Sequence, residues 1–230
     1  LPSRYAMTTE SDERCKNILP LGEDLLSLHC RREPRFYANI AAHNTYWYKK
    51  SAEGVNEPML CECLQGQMMG TSSKRYDSSI PQCLTGYYVK KFDNADVALK
   101  DYYMNSSSEA GDIIFRLPDL LLASAEAWNE YLDAPDERVY NPLDQIRTRA
   151  GIAKVRDAWK TYARNPQKVE TQAGMREIIR QEWNIEFAFE GRRFYNLRRW
   201  MTAHEELNSP LYGWNIIGDT EERFYNNNKE

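Results

Sequence analysis

No run of apolar residues in this sequence is long enough to cross a bilayer as a helix, for which about eighteen or more are needed. A basic excess is also missing, since 30 Lys and Arg stand against 34 Asp and Glu for a net charge of −4. Nucleic acid is excluded as a partner on that count, because phosphate recognition needs a basic surface. Histidine is scarce and scattered: His29, His43 and His204 stand alone, outside any H-E-x-x-H pattern. There is no G-x-G-x-x-G, no Walker lysine and no serine elbow, so the common nucleotide loops and hydrolase nucleophiles are absent. Cysteine is confined to the first 83 residues, as Cys15, Cys30, Cys61, Cys63 and Cys83. An odd number cannot pair fully within one chain. Cys61-Glu62-Cys63 lacks zinc-knuckle spacing, so neither a metal nor a cofactor is expected. None of the five follows the small apolar residues of a bacterial lipoprotein cleavage site, and Leu1 to Tyr5 lacks the apolar run of a secretory signal.

Aromatic residues are what the sequence has in quantity. They make up 12% of it, with 15 tyrosines and six tryptophans, and with 42% apolar residues they argue for a folded domain over disorder. Flat amphipathic rings suit core packing, and equally suit stacking on sugars or peptides.

The chain has two textures. Residues 1–110 are irregular, with turn clusters at Gly70-Thr71-Ser72-Ser73 and Asn105-Ser106-Ser107-Ser108, and with Pro34 and Pro81 as punctuation. Short strands are expected at Arg35–Ile40 and Gly86–Phe92, and a short helix around Glu23–His29. Residues 111–230 are dominated by helical periodicity. Leu117, Leu121, Ala125, Trp128 and Leu132 fall on one helical face, with Pro118 in the first turn where its missing amide hydrogen costs nothing. Val139, Leu143, Ile146 and Ala150 form a second face that stops at Gly151. Met175, Ile178, Ile179, Ile185 and Phe189 mark a third helix ending at Gly191. Phe194, Leu197 and Met201 mark a fourth, from Arg192 to about Leu207. Trp128 and Trp200 are assigned to the core. The expected architecture is mainly α: antiparallel helical pairs beside an irregular, loop-rich region with short strands.

Several blocks, in order, carry a resemblance. Arg116-Leu117-Pro118-Asp119-Leu120-Leu121-Leu122-Ala123-Ser124-Ala125-Glu126-Ala127 resembles the "R-x-x-D-x-L-L-x-x-A-E-A" helix of the SusD/RagB family. Asn141 to Gly151, with Ile146-Arg147-Thr148-Arg149-Ala150-Gly151, is similar to its "N-x-I-R-x-R-A-G" helix end. Ile178 to Arg193 follows "I-x-x-E-R-x-x-E-L-A-F-E-G-x-R", with Leu197-Arg198-Arg199-Trp200 after it. Upstream, Arg32-Glu33-Pro34-Arg35-Phe36 resembles the "D-P-R" turn and Thr85-Gly86-Tyr87-Tyr88 the start of the "T-G-Y" strand. Glu33 replaces the usual aspartate, and Trp183 stands where arginine is common. The resemblance implies a tetratricopeptide-like helical scaffold in a longer protein, of which this chain is the distal part. It implies a non-catalytic outer-membrane lipoprotein of a Gram-negative cell surface, anchored through sequence not shown. It implies further that such a protein captures oligosaccharide or peptide nutrients for a SusC-like TonB-dependent transporter.

Physical roles can be assigned to the motif residues. Glu182, Glu186 and Glu190 recur every four residues, while Arg116, Arg147, Arg149 and Arg192 lie in the neighbouring blocks. A lattice of charge-assisted hydrogen bonds is expected, fixing the order of the helices. The same acidic row could be read as a dicarboxylate glycosidase, but nearby arginines would hold the carboxylates ionised when a general acid must be protonated. Ligand contact is assigned to His43, Asn44, Tyr46, Trp47 and Tyr48, with Tyr46 and Tyr48 on one strand face and Trp47 on the other. Tyr87, Tyr88, Tyr102 and Tyr103 are further candidates. The competing class is an intracellular helical adaptor that binds a partner protein in a groove.

Overall fold

A computed structural model describes residues 6–50, 55–71, 83–92 and 113–226. The chain divides into two units, a helical one of Glu33–Arg35 with Ala110–Ser209 and a mixed one of Leu1–Arg32, Phe36–Glu109 and Pro210–Glu230. The tail from Pro210 belongs with the irregular half, and Glu33–Arg35 belongs with the helices.

In the helical unit, α2 (Leu117–Tyr131) starts where the Asp119 carboxylate accepts the Arg116 amide at 3.0 Å, with Pro118 in the first turn. Helix α3 (Glu137–Arg149) is capped by Asp136, whose Oδ1 accepts the Arg138 amide at 2.8 Å. It ends at Gly151, φ 72°, where the Gly151 and Ile152 amides bond back to Thr148 and Arg147 carbonyls at 3.0 Å. A short helix, α4 (Val155–Tyr162), follows; it carries only one fully buried residue, Val155, too weak a periodic signal to read from sequence. Helix α5 (Gln172–Glu186) is capped by Thr171, whose hydroxyl accepts the Gly174 amide at 3.1 Å. Gly174 cannot be otherwise, since a Cβ there would lie 1.9 Å from the Lys168 carbonyl oxygen.

Helix α2 packs against both α3 and α5. Their shared core holds Leu122, Leu143, Ile146, Met175 and Ile179, all at most 1% exposed. The buried face of α2 is rotated from the expected one: Leu122, Ala125 and Asn129 point inward, while Leu117 and Trp128 are exposed. Trp128 is thus no core residue; the Arg138 guanidinium covers its ring at 4.4 Å. Trp200 does pack on the core. The third expected helix stops at Glu186, so Trp183 and Phe187 take the core places expected for Ile185 and Phe189. The fourth helix is broken into α6 (Arg192–Arg199) and α7 (Ala203–Glu206) at Met201, which has a left-handed φ of 58° and is 80% exposed.

The mixed unit has antiparallel pairs: β1 (Met7–Thr9) with β2 (Asp24–Leu26), β3 (Ile40–Ala41) with β6 (Tyr88–Val89), and β4 (Tyr46–Lys50) with β5 (Asn56–Leu60). Its main core gathers Leu26, Ala41, Trp47, Cys61 and the tail residues Phe224 and Tyr225, the former in α8 (Glu221–Phe224). A strand expected at Arg35–Ile40 is instead the helix α1 (Pro34–Asn39), because Pro34 at its start has a φ preset for a helix and only Ile40 onward is extended. The helix expected around Glu23–His29 is reduced to a single 3-10 turn at Ser27–His29 after β2, and the later strand shrinks to Tyr88–Val89. The Asn105–Ser108 turn, Ser72, Ser73, Pro81, Tyr102 and Tyr103 lie outside the described residues.

Two substitutions test this packing by denaturant unfolding. Ile179→Ala should cost about 3 kcal/mol, the sum of lost burial and a retained cavity. Met201→Gly should be neutral or stabilising by up to about 1 kcal/mol, since an exposed side chain is lost and a left-handed residue is relieved.

Candidate functional site

Residues far apart in the chain meet at Glu186. This last residue of α5 is 3% exposed, and its carboxylate oxygens lie 2.5 Å from Arg116 Nη1, 2.6 Å from Arg149 Nη2 and 3.0 Å from Arg35 Nη1. One turn earlier, Glu182 lies 2.7 Å from Arg35 Nη1 and 3.1 Å from Arg147 Nη1. Arg35 also forks onto Glu33, with Nε to Oε1 at 2.8 Å and Nη2 to Oε2 at 3.2 Å. Glu190 lies beyond the end of α5, not on it. The chain turns at Phe189, φ 67°, and Glu190 then accepts Arg116 Nε and Nη2 at 2.9 and 2.7 Å. Arg116 is further packed on the Phe187 ring, 4.0 Å from its centroid. Arg192 departs from the expected lattice: it sits 3.1 Å from Asp119 and donates to the Ile114 carbonyl at 2.6 Å.

Burial by itself would push the Glu186 carboxyl up, but the hydrogen bonds from Arg116 and Arg35 outweigh it and hold the group below its ordinary value. Glu186 is therefore a fixed anion, the opposite of a proton donor for glycosidic cleavage. A second carboxylate acts similarly. Glu126 accepts Trp183 Nε1 at 3.1 Å and Trp200 Nε1 at 2.9 Å, and pairs bidentately with Arg199. Trp183 thus keeps a polar contact where an arginine would have made one.

In the mixed unit, the expected ligand residues separate. Trp47 is 9% exposed within the core, and His43 is 3% exposed with its Nδ1 accepting the Cys63 amide at 3.0 Å. Neither presents a free face, so both are corrected from ligand contacts to packing. Burial drives the buried His43 and His29 down to about 4, helped at His29 by the charge of His43. Tyr46 and Tyr48 lie on the other face of β4, half-buried, opposite Leu60 and Pro58. Asn44, held at φ 60° before the strand, donates to Glu221 Oε1 at 2.7 Å. Tyr87 bonds His29 Nε2 at 3.0 Å, and the Tyr88 hydroxyl donates to the Met69 carbonyl, so both hydroxyls serve the fold.

Among known families, the SusD family model matches residues 23–230. The chain belongs to the SusD family. Solved structures agree: it is similar to one named BT4246 at 25% identity and a TM-score of 0.63, covering 88% of this chain and 32% of that one. The selenomethionine form of BT4246 is similar at 24% identity and a TM-score of 0.61, over 95% of this chain and 36% of that one. The chain thus spans about a third of the length of the solved structures it matches. No curated protein matches it. SusD family members are binding proteins associated with nutrient and glycan uptake, and their tetratricopeptide-like helical fold is the one seen here.

Arg35, Glu33 and Glu126 were not foreseen as members of these networks. Each lies inside a SusD-family motif, which is the signal that could have singled them out. Removing charge at the centre should be severe: Glu186→Gln leaves guanidinium groups without their shared anion and should cost about 3–5 kcal/mol by chemical denaturation. Acid should act in two steps. Because the folded-state values of His29 and His43 lie below the unfolded one, stability falls as pH drops from about 6.5 towards about 4. Glu186, also depressed, contributes stability above its unfolded value and loses it as pH falls further through its folded one. A pH series of melting temperatures would read both.

Proposed function

We propose that this chain is the distal part of a non-catalytic lipoprotein of the outer membrane that captures an oligosaccharide or peptide at the cell surface. It then hands its cargo to a SusC-like TonB-dependent transporter. The SusD family match over residues 23–230 carries the reading. The ionised state of Glu186 supports holding over cleaving, because the best-placed carboxylate in the motif cannot lend a proton. No helix among the described residues is long and apolar enough to cross a membrane, which is compatible with attachment by a lipid.

Tyr46 and Tyr48 are the residues we assign to cargo. A five-residue strand fixes their backbone and a tyrosine ring has few torsions of its own, so little entropy is lost when a ligand is held. Trp47, on the opposite face, anchors that strand in the core, and Asn44 is oriented by Glu221. Titration calorimetry against a panel of neutral and acidic oligosaccharides and short peptides tests the assignment. Tyr46→Ala or Tyr48→Ala should weaken the bound member by about fivefold, roughly 1 kcal/mol for one stacked ring. Trp47→Ala should instead lower the melting temperature. Release of reducing sugar from any bound glycan, abolished by Glu186→Gln in a folded variant, would defeat the non-catalytic reading.

A further inference from the structure

The helical unit contains a cleft beside the Glu186 lattice, with which it shares Arg116 and Arg149. It lies between the first turn of α2 and one face of α3 and has a volume of about 810 Å³, within the range of small-molecule sites. Leu117 and Leu121 of α2 form its apolar side. Across from them stand Asn141, Gln145 and Thr148, at four- and three-residue steps along one face of α3. All three are exposed, and they span roughly 10 Å at 1.5 Å per residue. A row of two amides and a hydroxyl is a set of hydrogen-bonding groups with no charge of its own.

The charge of the cleft comes from its end. Arg116, Arg149 and Lys154 line it, against a single carboxylate, Asp144. Asp144 is buried, and its Oδ1 is taken by the Val155 amide at 2.7 Å, so it serves as the cap of α4. Arg149 spends one nitrogen on Glu186, yet its side chain remains 59% exposed. Lys154 is exposed and, among the described residues, has no acidic partner. Asp144 keeps its charge and Arg116 is held by Glu186 and Glu190, so Lys154, with the exposed part of Arg149, supplies the cationic end of a hydrogen-bonding, part-apolar groove.

We propose that this cleft is a second ligand site, and that it takes an acidic oligosaccharide. The sugar's C–H faces lie against Leu117 and Leu121, its hydroxyls bond Asn141, Gln145 and Thr148, and its anionic group meets Arg149 and Lys154. The inference deepens the capture reading above and rests on it for the choice of a glycan. A uronate carboxylate or a sulfate ester supplies the anionic group; the cleft chemistry is the same for both.

The probes are trigalacturonate, its methyl ester, a sulfated trisaccharide and triglutamate, each titrated into the 230-residue chain. Trigalacturonate or the sulfated sugar should bind, and the methyl ester, of like shape without charge, should bind at least tenfold more weakly. Lys154→Met should weaken the acidic sugar about tenfold and leave the ester unchanged, and Gln145→Ala should weaken both. Neither residue belongs to the ion lattice, so both variants should keep the parent melting temperature; that measurement accompanies each titration. Equal binding of acid and ester, or of parent and Lys154→Met, overturns the proposal, as does triglutamate binding more tightly than either sugar. The two readings fail separately. Glycan binding that responds to Tyr46→Ala and not to Lys154→Met removes only the second site, whereas no binding of any glycan or peptide removes capture as well.

Discussion

Glu186 holds an unusual position for a carboxylate: almost fully buried, with guanidinium groups from Arg35, Arg116 and Arg149 on its two oxygens. The cost of removing that charge from water is large and is offset only because several donors arrive with good geometry. Each donor comes from a different place, Arg35 from the Glu33–Arg35 segment, Arg116 from the cap of α2 and Arg149 from the end of α3. Glu182 repeats the arrangement one turn back with Arg147. The relative placement of α2, α3 and α5 is therefore set at one point by directional bonds and elsewhere by non-directional apolar contact. Apolar contact alone holds helices tightly, but it does not select one register among them as directional bonds do.

Much of the helical unit was legible because its signals are local. Pro118 with Asp119, Asp136 before α3, and Gly151 after it mark helix ends by chemistry that acts within a few residues. The arginine and glutamate positions were legible too, through motif spacing. What failed was rotation and extent. Periodicity placed Leu117 and Trp128 inward, but Leu122, Ala125 and Asn129 are the residues of α2 that face the core. The last turn of α5 and the middle of the following helix were extended too far, because left-handed Phe189 and Met201 are residues that sequence rules do not expect at such bends.

The mixed unit was less legible for a different reason. Its strands are two to five residues long, so alternation has too few steps to register. Its core is completed by Phe224 and Tyr225, more than a hundred residues from the strands they pack against, which no local pattern can reveal. The aromatic cluster at Tyr46, Trp47 and Tyr48 shows both sides of this. Alternation gave the two faces correctly, but could not say that His43, four residues earlier, is closed off by Cys63.

The chain order of these partners has a consequence for synthesis. Arg35 leaves the ribosome 151 residues before Glu186, an interval of about ten seconds at ordinary elongation rates. Asn44 waits longer still, 177 residues, for Glu221. Through that interval a bare guanidinium and an uncovered strand face must persist without their proper partners, a window in which premature contacts compete. Neither unit can close before its distal partner emerges: the helical unit waits for Glu186 and the mixed unit for Glu221.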